Sequence, residues 1–380
     1  MSVLSAQRAP GIARRGRSTI LVALVASAAL LLSGCQLAAP TSGSEVEETV
    51  QLTPLDELTP IADPTSYEGP STALIGGPSL PPIADAPEQQ LPTTVVSHDR
   101  EGDIEVTVED ASRLLALSLT GTLAELVDAY GLAGSLVGRD ISTKVRGHED
   151  LPVVTKDGHS VDIEGVMALS PTLILTDGSL GTEMVALFRD AGVPVVMVSR
   201  AQDPESTYEL AREVASALGV APLADALIEQ LQQAIAEKEA QIQALLPEDP
   251  ALRPRIAFLY VRGSAGIYYL FGEGSGIDSM IDSLGAIDVA EEIGWVGEKP
   301  LTNEALVALN PDIILVMTKG LESAGGVDGL IEAQPSIALT TAGENRRIVD
   351  VEDTLIFAGG TRIPDVLDGL ARAIYAPNSL

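Results

Sequence analysis

From about residue 105 onward, short uniform apolar runs alternate with stretches in which apolar residues recur at helical spacing. "RLLALSL" (113–119), "LILT" (173–176) and "VPVVMV" (193–198) predict buried strands. "GTLAELVDAYGL" (121–132) predicts a helix closed by a glycine, and "GTEMVALFRDAG" (181–192) predicts another. Strands buried on both faces and separated by helices predict parallel α/β layers. The same alternation resumes at "IAFLYVRGSAG" (256–266), a buried strand that runs into a glycine turn. Two helical stretches, 203–219 and 222–246, lie between these regions, and the first is expected to be a rigid bridge.

The two regions echo one another. "EGVMALSPTLIL" starts at Glu164 and "EALVALNPDIIL" starts at Glu304; six of the twelve positions are identical without a gap. Each copy predicts a short helix opening with glutamate, a proline break and a buried strand. One copy per half predicts two related lobes rather than one core, as a chain of 380 residues also suggests.

The N-terminal part has no such pattern. Residues 1–19 hold Arg8, Arg14, Arg15 and Arg17 and no acid, and "ILVALVASAALLL" and "SGC" follow. A basic start, a short apolar run and small residues at the cut predict a secretory signal. The apolar run is too short to span a bilayer comfortably. "LLSGC" resembles the bacterial lipobox, which makes Cys35 the expected lipidation site. Residues 36–99 contain ten prolines, ten acids and no Lys or Arg, so they predict a disordered tether. His98 falls at its end and is discounted as a ligand.

Composition narrows the chemistry. The net charge of −31 excludes nucleic acid as a partner, since phosphate binding needs a basic surface. Cys35 is the only cysteine, which rules out an internal disulfide and a Cys-rich zinc site. The three histidines, His98, His148 and His159, are too few for a cage of imidazoles around a bare metal ion. No HExxH or GxSxG pattern occurs, so the chain is not expected to be an enzyme.

In "YVRG", Tyr260 and Arg262 are one residue apart and would share a face of the strand. A phenol there could serve as an anionic ligand for ferric iron, with the guanidinium favouring the anion. A strand-end tyrosine with an exposed arginine is the plainer interpretation.

Taken together, the lipobox, tether, paired lobes, bridging helix and Glu-x₆-Pro echo resemble the substrate-binding proteins of chelate-importing ABC transporters. Within that class, "GRDISTKVRGHEDLPVVTKDGHSVDIEGVMALSPTLILTDGSLG" (138–181) and "YVRG" resemble the HmuT-type haem-binding lipoproteins of actinobacteria. The resemblance spans roughly 105–380. It implies two Rossmann-like α/β lobes with parallel sheets, joined by a rigid helix around a ligand cleft. It implies haem b as the transported ligand, with His159 and Tyr260 on the iron and Arg262 supporting the tyrosine. His148 lacks the motif context and is the weaker histidine. Glu164 and Glu304 would dock onto the permease, which works with an ATPase; Tyr268, Tyr269 and Phe271 could wall a porphyrin face and could equally be core. A ferric siderophore or corrinoid is the alternative cargo of the same class, and a purely structural surface lipoprotein would need neither the echo nor "YVRG".

The expected boundaries are a signal peptide over 1–34, the lipidated tether over 35–104, an N-terminal lobe over 105–202, the bridge over 203–219 and a C-terminal lobe over 220–380. The expected location is the extracytoplasmic face of the cell membrane, held by the lipid.

Overall fold

The first described segment has regular structure where the composition predicts disorder. The computed structural model describes residues 52–156, 159–263, 268–357 and 359–379. The signal segment, Cys35, Asp157 and Gly158 lie outside the described residues. Residues 52–92 form a strap laid across both halves of the fold. Leu55 is fully buried, and Ile61 donates its N–H to the Tyr375 carbonyl at 2.8 Å. Further on, Ile83 bonds to Ala129 at 2.9 Å and Gln90 to Gly219 at 2.7 Å. The strap contains strand β1 (Ser71–Thr72). It leads into a hairpin of β2 (Thr93–Ser97) and β3 (Ile104–Val108). The expected tether over 35–104 is therefore corrected from residue 52 onward. A few apolar anchors and backbone hydrogen bonds to the two lobes hold a chain that lacks a core of its own. Glycines mark the crossings: a Cβ on Gly131 would stand 2.1 Å from the Ala84 carbonyl oxygen.

His98 closes that hairpin. Its Nδ1 lies 3.0 Å from Asp103 and its Nε2 3.3 Å from Glu213. The Asp103 hydrogen bond raises its pKa against the cost of burial, with Glu213 adding to the rise.

The N-terminal lobe is built on β4 (Leu114–Leu117), which leads into α1 (Thr122–Ala129). A small hairpin follows, β5 (Thr155–Lys156) and β6 (Ser160–Val161), then α2 (Ile163–Ala168) and β7 (Leu173–Thr176). Helix α3 (Thr182–Asp190) and β8 (Val195–Met197) complete a parallel sheet of order β4-β7-β8. All its strand positions are buried, as the uniform apolar runs predict.

Two helices connect the lobes. In α4 (Pro204–Ala217), Leu210, Ala211 and Val214 pack into the N-terminal core. The next helix, α5 (Ala224–Gln243), begins in that core through Leu227 and Ile228 and ends in the other through Leu231, Ile235 and Ile242. The spanning helix is thus α5, and the expectation that 203–219 is the bridge is corrected. The reason is length: α5 has 20 residues, about 30 Å at helical rise, enough to serve both cores.

In the C-terminal lobe, β9 (Arg255–Val261) is followed by β10 (Tyr268–Phe271), α6 (Ile277–Ser283), β11 (Ile287–Asp288) and β12 (Glu298–Pro300). After α7 (Asn303–Leu309) come β13 (Ile313–Met317) and α8 (Thr318–Ser323). The chain ends with α9 (Gly326–Ala333), α10 (Thr341–Glu344), β14 (Ile348–Val351) and α11 (Ile363–Tyr375). The sheet order is β1-β14-β13-β9-β10-β12, with β11 also on β9. Strands β1, β14, β13, β9 and β11 run parallel; β10 and β12 add an antiparallel edge.

The echo in sequence is also an echo in backbone. Ser170 after α2 has φ 48° and Asn310 after α7 has φ 44°. Both are left-handed residues placed just before the equivalent proline.

Candidate functional site

Several contacts between the lobes come from residues beyond the C-terminal ends of the parallel strands. Thr122 donates its hydroxyl to the Gly359 carbonyl at 3.1 Å, and Gly360 donates its N–H to Thr207 Oγ1 at 3.0 Å. Lys144 Nζ lies 3.8 Å from Glu352, and Arg362 lies 3.6 Å from Glu125. The two sheets therefore present their C-terminal edges to each other, which is where α/β proteins bind ligands.

On the C-terminal lobe this edge carries Tyr260 and Arg262. Tyr260 is half-buried near the end of β9, and the exposed Arg262 follows the strand. The guanidinium carbon lies 5.6 Å from the centre of the Tyr260 ring, close enough for a cation–π attraction. Beneath the tyrosine, Phe271 stacks at 6.3 Å with the rings 27° apart. Phe258 and Phe357 pack on Phe271 at 5.1 and 5.5 Å. This aromatic shelf fixes the plane of the phenol.

The three aromatics of β10 divide by face. Tyr269 pairs directly with Tyr260 and is exposed, so it can contact a ligand beside the phenol. Tyr268 points the other way: it is 2 % exposed, and its hydroxyl bonds to Asn303 and Ser336 at 2.9 and 3.0 Å. Of the two places open to it, pocket wall or core, it takes the core, because its face of the sheet is covered by Asn303, Ser336 and their neighbours. Phe271 is 6 % exposed and supports Tyr260 from below rather than lining the cleft.

On the N-terminal lobe, residues 136–141 run beside β4, with Leu136 bridging to Leu114. Val153 bridges in turn to Arg139, and Ile141 donates its N–H to Thr155 Oγ1 at 3.0 Å. The β5–β6 hairpin is thereby carried past the end of β4. His159 directly precedes β6, is exposed, and belongs to the lobe opposite that of Tyr260. His148 lies in a separate loop and donates its backbone N–H to Val145.

Asp140 organises the neighbouring loop. Its Oδ1 accepts from the Ser142 and Thr143 N–H groups at 2.8 and 2.7 Å, and its Oδ2 accepts from Ser118 N–H at 2.9 Å. Burial pushes the Asp140 pKa up; these donors and the Thr143 hydroxyl oppose it. The clamp holds Ile141 outward, 55 % exposed, and the hydroxyl of the next residue, Ser142, donates to the carbonyl of Leu119, itself 38 % exposed, at 2.8 Å. Leu119 and Ile141 were not singled out from the sequence, where each looks like one more apolar residue at a strand end. Their exposure together at the facing edge suits a ligand with apolar faces.

Glu164 and Glu304 are exposed in the first turns of α2 and α7. Both helices run down to a parallel strand, so both glutamates stand on the cleft end of the molecule, one per lobe.

Among the described residues, no three His, Cys, Asp or Glu side chains come together in a way that could hold a metal ion. The C-terminal lobe's edge carries a phenol, and the N-terminal lobe carries an exposed imidazole, His159, just before β6. Such donors suit a metal that arrives with its equatorial positions already filled. Two concavities lie elsewhere. One of about 310 Å³ is lined by Asp278, Asp282, Asp288 and Glu291, towards the N-terminal end of β9. The other, of about 320 Å³, lies under the strap, where Lys238 and Arg372 are already paired with Asp368.

Comparison with known proteins bears on this geometry. The periplasmic binding protein family matches the chain over residues 117–355. The crystal structure of the heme binding protein HmuT superposes with a TM-score of 0.72 at 35% identity, covering 83% of this chain and 99% of that one. Crystal structures of three HmuT variants superpose comparably; each has a tyrosine, a histidine or an arginine changed, to alanine, with the arginine two positions after the tyrosine. The apo form of the periplasmic heme-binding protein RhuT from Roseiflexus sp. RS-1 gives a TM-score of 0.60 at 32% identity, covering 70% of this chain and 99% of that one. The uncharacterized ABC transporter substrate-binding lipoprotein YvrC of Bacillus subtilis (strain 168) is 25% identical over 293 residues, 76% of this chain and 88% of its own length.

Proposed function

The chain belongs to the periplasmic binding protein family, and from that premise we propose that it is a haem-binding receptor that delivers its cargo to an ABC permease. The observation that carries this is Tyr260, half-buried with Arg262 over its ring, on the sheet edge turned to the other lobe, whose sequence carries His159. The residue types changed in the HmuT variants, and the tyrosine–arginine spacing, are those found here.

In this reading haem b enters between the lobes with its faces against Leu119, Ile141 and Tyr269. Tyr260 holds the iron from one side as phenolate. A free phenol ionises near pH 10, so iron and the adjacent Arg262 charge must favour the anion. His159 offers neutral imidazole from the other side. Phe271 keeps the phenol plane fixed, worth about 1 kcal/mol for such a stack. Glu164 and Glu304 meet cationic sites on the permease, and its ATPase drives import. Cys35 carries the lipid that keeps the receptor on the extracytoplasmic face. Among the described residues no helix is long and apolar enough to cross a membrane.

Titration of the full chain with haemin, followed by absorbance, tests the reading. A Soret band and phenolate-to-iron charge transfer are expected. Tyr260→Phe should remove the charge transfer, and His159→Ala should alter the ligand field while leaving it. A Tyr260→Phe spectrum identical to the unaltered chain would remove Tyr260 from the iron. Binding of a ferric siderophore or a corrinoid in place of haemin would assign the cleft to that cargo.

A further inference from the structure

We infer that Lys144 recognises a carboxylate of the cargo, and that Glu352 occupies Lys144 until that carboxylate displaces it. The inference rests on haem as cargo and adds a determinant separate from the iron ligands.

The observation is the ion pair itself. Lys144 Nζ lies 3.8 Å from Glu352 Oε1, and the two side chains come from opposite lobes. Lys144 follows the loop clamped by Asp140, beside the exposed Ile141. Glu352 follows β14 at its C-terminal end. Its loop also carries Phe357, which packs on Phe271 directly beneath Tyr260. The pair therefore stands on the edges between which the cargo must sit.

Its construction is suited to exchange. Glu352 is held by its other oxygen, which accepts from the Thr354 hydroxyl at 2.6 Å and from the Thr354 and Leu355 N–H groups at 3.2 and 3.1 Å. Lys144 is half exposed, and its contact with Glu352 is long. A loose, solvated pair of this kind contributes little to stability, so an incoming carboxylate has little to displace. A cation left unpaired as the lobes close around an apolar macrocycle would lose its water without compensation. A haem carboxylate placed there supplies the missing partner. Glu352, still held by its three donors, swings no further than its own side chain allows and returns when the cargo leaves.

The test compares haemin with haemin dimethyl ester, which lacks the free carboxylates but keeps the iron and the ring. The full chain and two variants are titrated with each. Lys144→Ala should weaken haemin binding about tenfold, the scale of one charge-assisted hydrogen bond, and leave the ester unchanged. Lys144→Arg should restore most of the loss. Glu352→Gln keeps an acceptor for Thr354 and Leu355 but drops the charge, so it should tighten haemin a few-fold and not the ester. Equal loss for haemin and ester in Lys144→Ala, or no loss for either, overturns the inference while haem binding stands. Unchanged or weaker haemin binding in Glu352→Gln overturns the exchange with Glu352. Failure of the unaltered chain to bind either compound brings down the haem reading and this inference with it.

Discussion

Arg362 of one lobe stands 3.6 Å from Glu125 of the other, and both side chains are almost completely buried. The guanidinium also donates to Asp365 at 2.8 Å and to the Gly76 carbonyl of the strap at 2.7 Å. One side chain thus joins both lobes and the strap beneath the cleft.

Removing that hub should cost far more than removing one of its acids. Arg362→Met leaves Glu125 and Asp365 buried without a cation, a loss of about 3–5 kcal/mol in urea unfolding. Glu125→Gln leaves Arg362 with Asp365 and should cost much less. Equal losses would mean that the pair is not a buried network.

Stability should fall as pH rises through mildly acidic values to neutrality. Burial is the main cause that pushes Glu125 from its ordinary 4.5 up to about 7; Arg362 opposes it, and Asp365 and Asp140 add to it. Burial likewise pushes Asp288 up to about 6. A raised acid binds its proton more tightly when folded, so its contribution is full below its ordinary pKa and is lost as pH climbs through the raised one. Denaturation midpoints measured from pH 4.5 to 8 should decline, and Glu125→Gln should flatten the upper part of that decline. A rise over this range would contradict the assignment.

Arg262 should act on the phenol's charge rather than on its position. The Phe271 stack remains in Arg262→Ala, so haemin should still bind, with affinity reduced several-fold. Without the neighbouring cation, the phenolate charge-transfer band should weaken and shift. A band identical to that of the unaltered chain would leave Arg262 with no electrostatic role.

The exposed glutamates should separate binding from delivery. Glu164→Ala and Glu304→Ala should leave haemin affinity nearly unchanged and impair uptake by cells. A large loss of haemin binding in either variant, with the fold intact, would place that carboxylate at the cargo.

Leu55 gives a direct test of the strap. In a free tether, Leu55→Ala would cost nothing. Packed at 1 % exposure against the C-terminal core, it should cost about 2–4 kcal/mol in unfolding experiments.

Much of the architecture could be read from periodicity. The strand over 173–176 has the predicted bounds, and the helices expected over 121–132 and 203–219 fall on α1 and α4. Tyr260 and Arg262 are neighbours because a strand repeats every two residues, a relation the chain carries locally. The Glu164 and Glu304 echo is equally local, down to the left-handed residue before each proline.

Other features depend on residues far apart in the chain. Alternation shows that Tyr268 and Tyr269 face opposite ways but not which of them meets the core; the helices packed on each face of the sheet decide that. The strap looks disordered because its composition cannot build a core, yet it packs on the surfaces of the two lobes. Glu125 and Arg362, like Lys144 and Glu352, are separated by more than half the chain, and no spacing rule links them. Local residue order was enough to determine the helices, the strands and the Tyr-x-Arg strand end. Which charges pair beneath and across the cleft was decided only when the two sheets turned their C-terminal edges together, because burial and electrostatic attraction act through space and not along the chain.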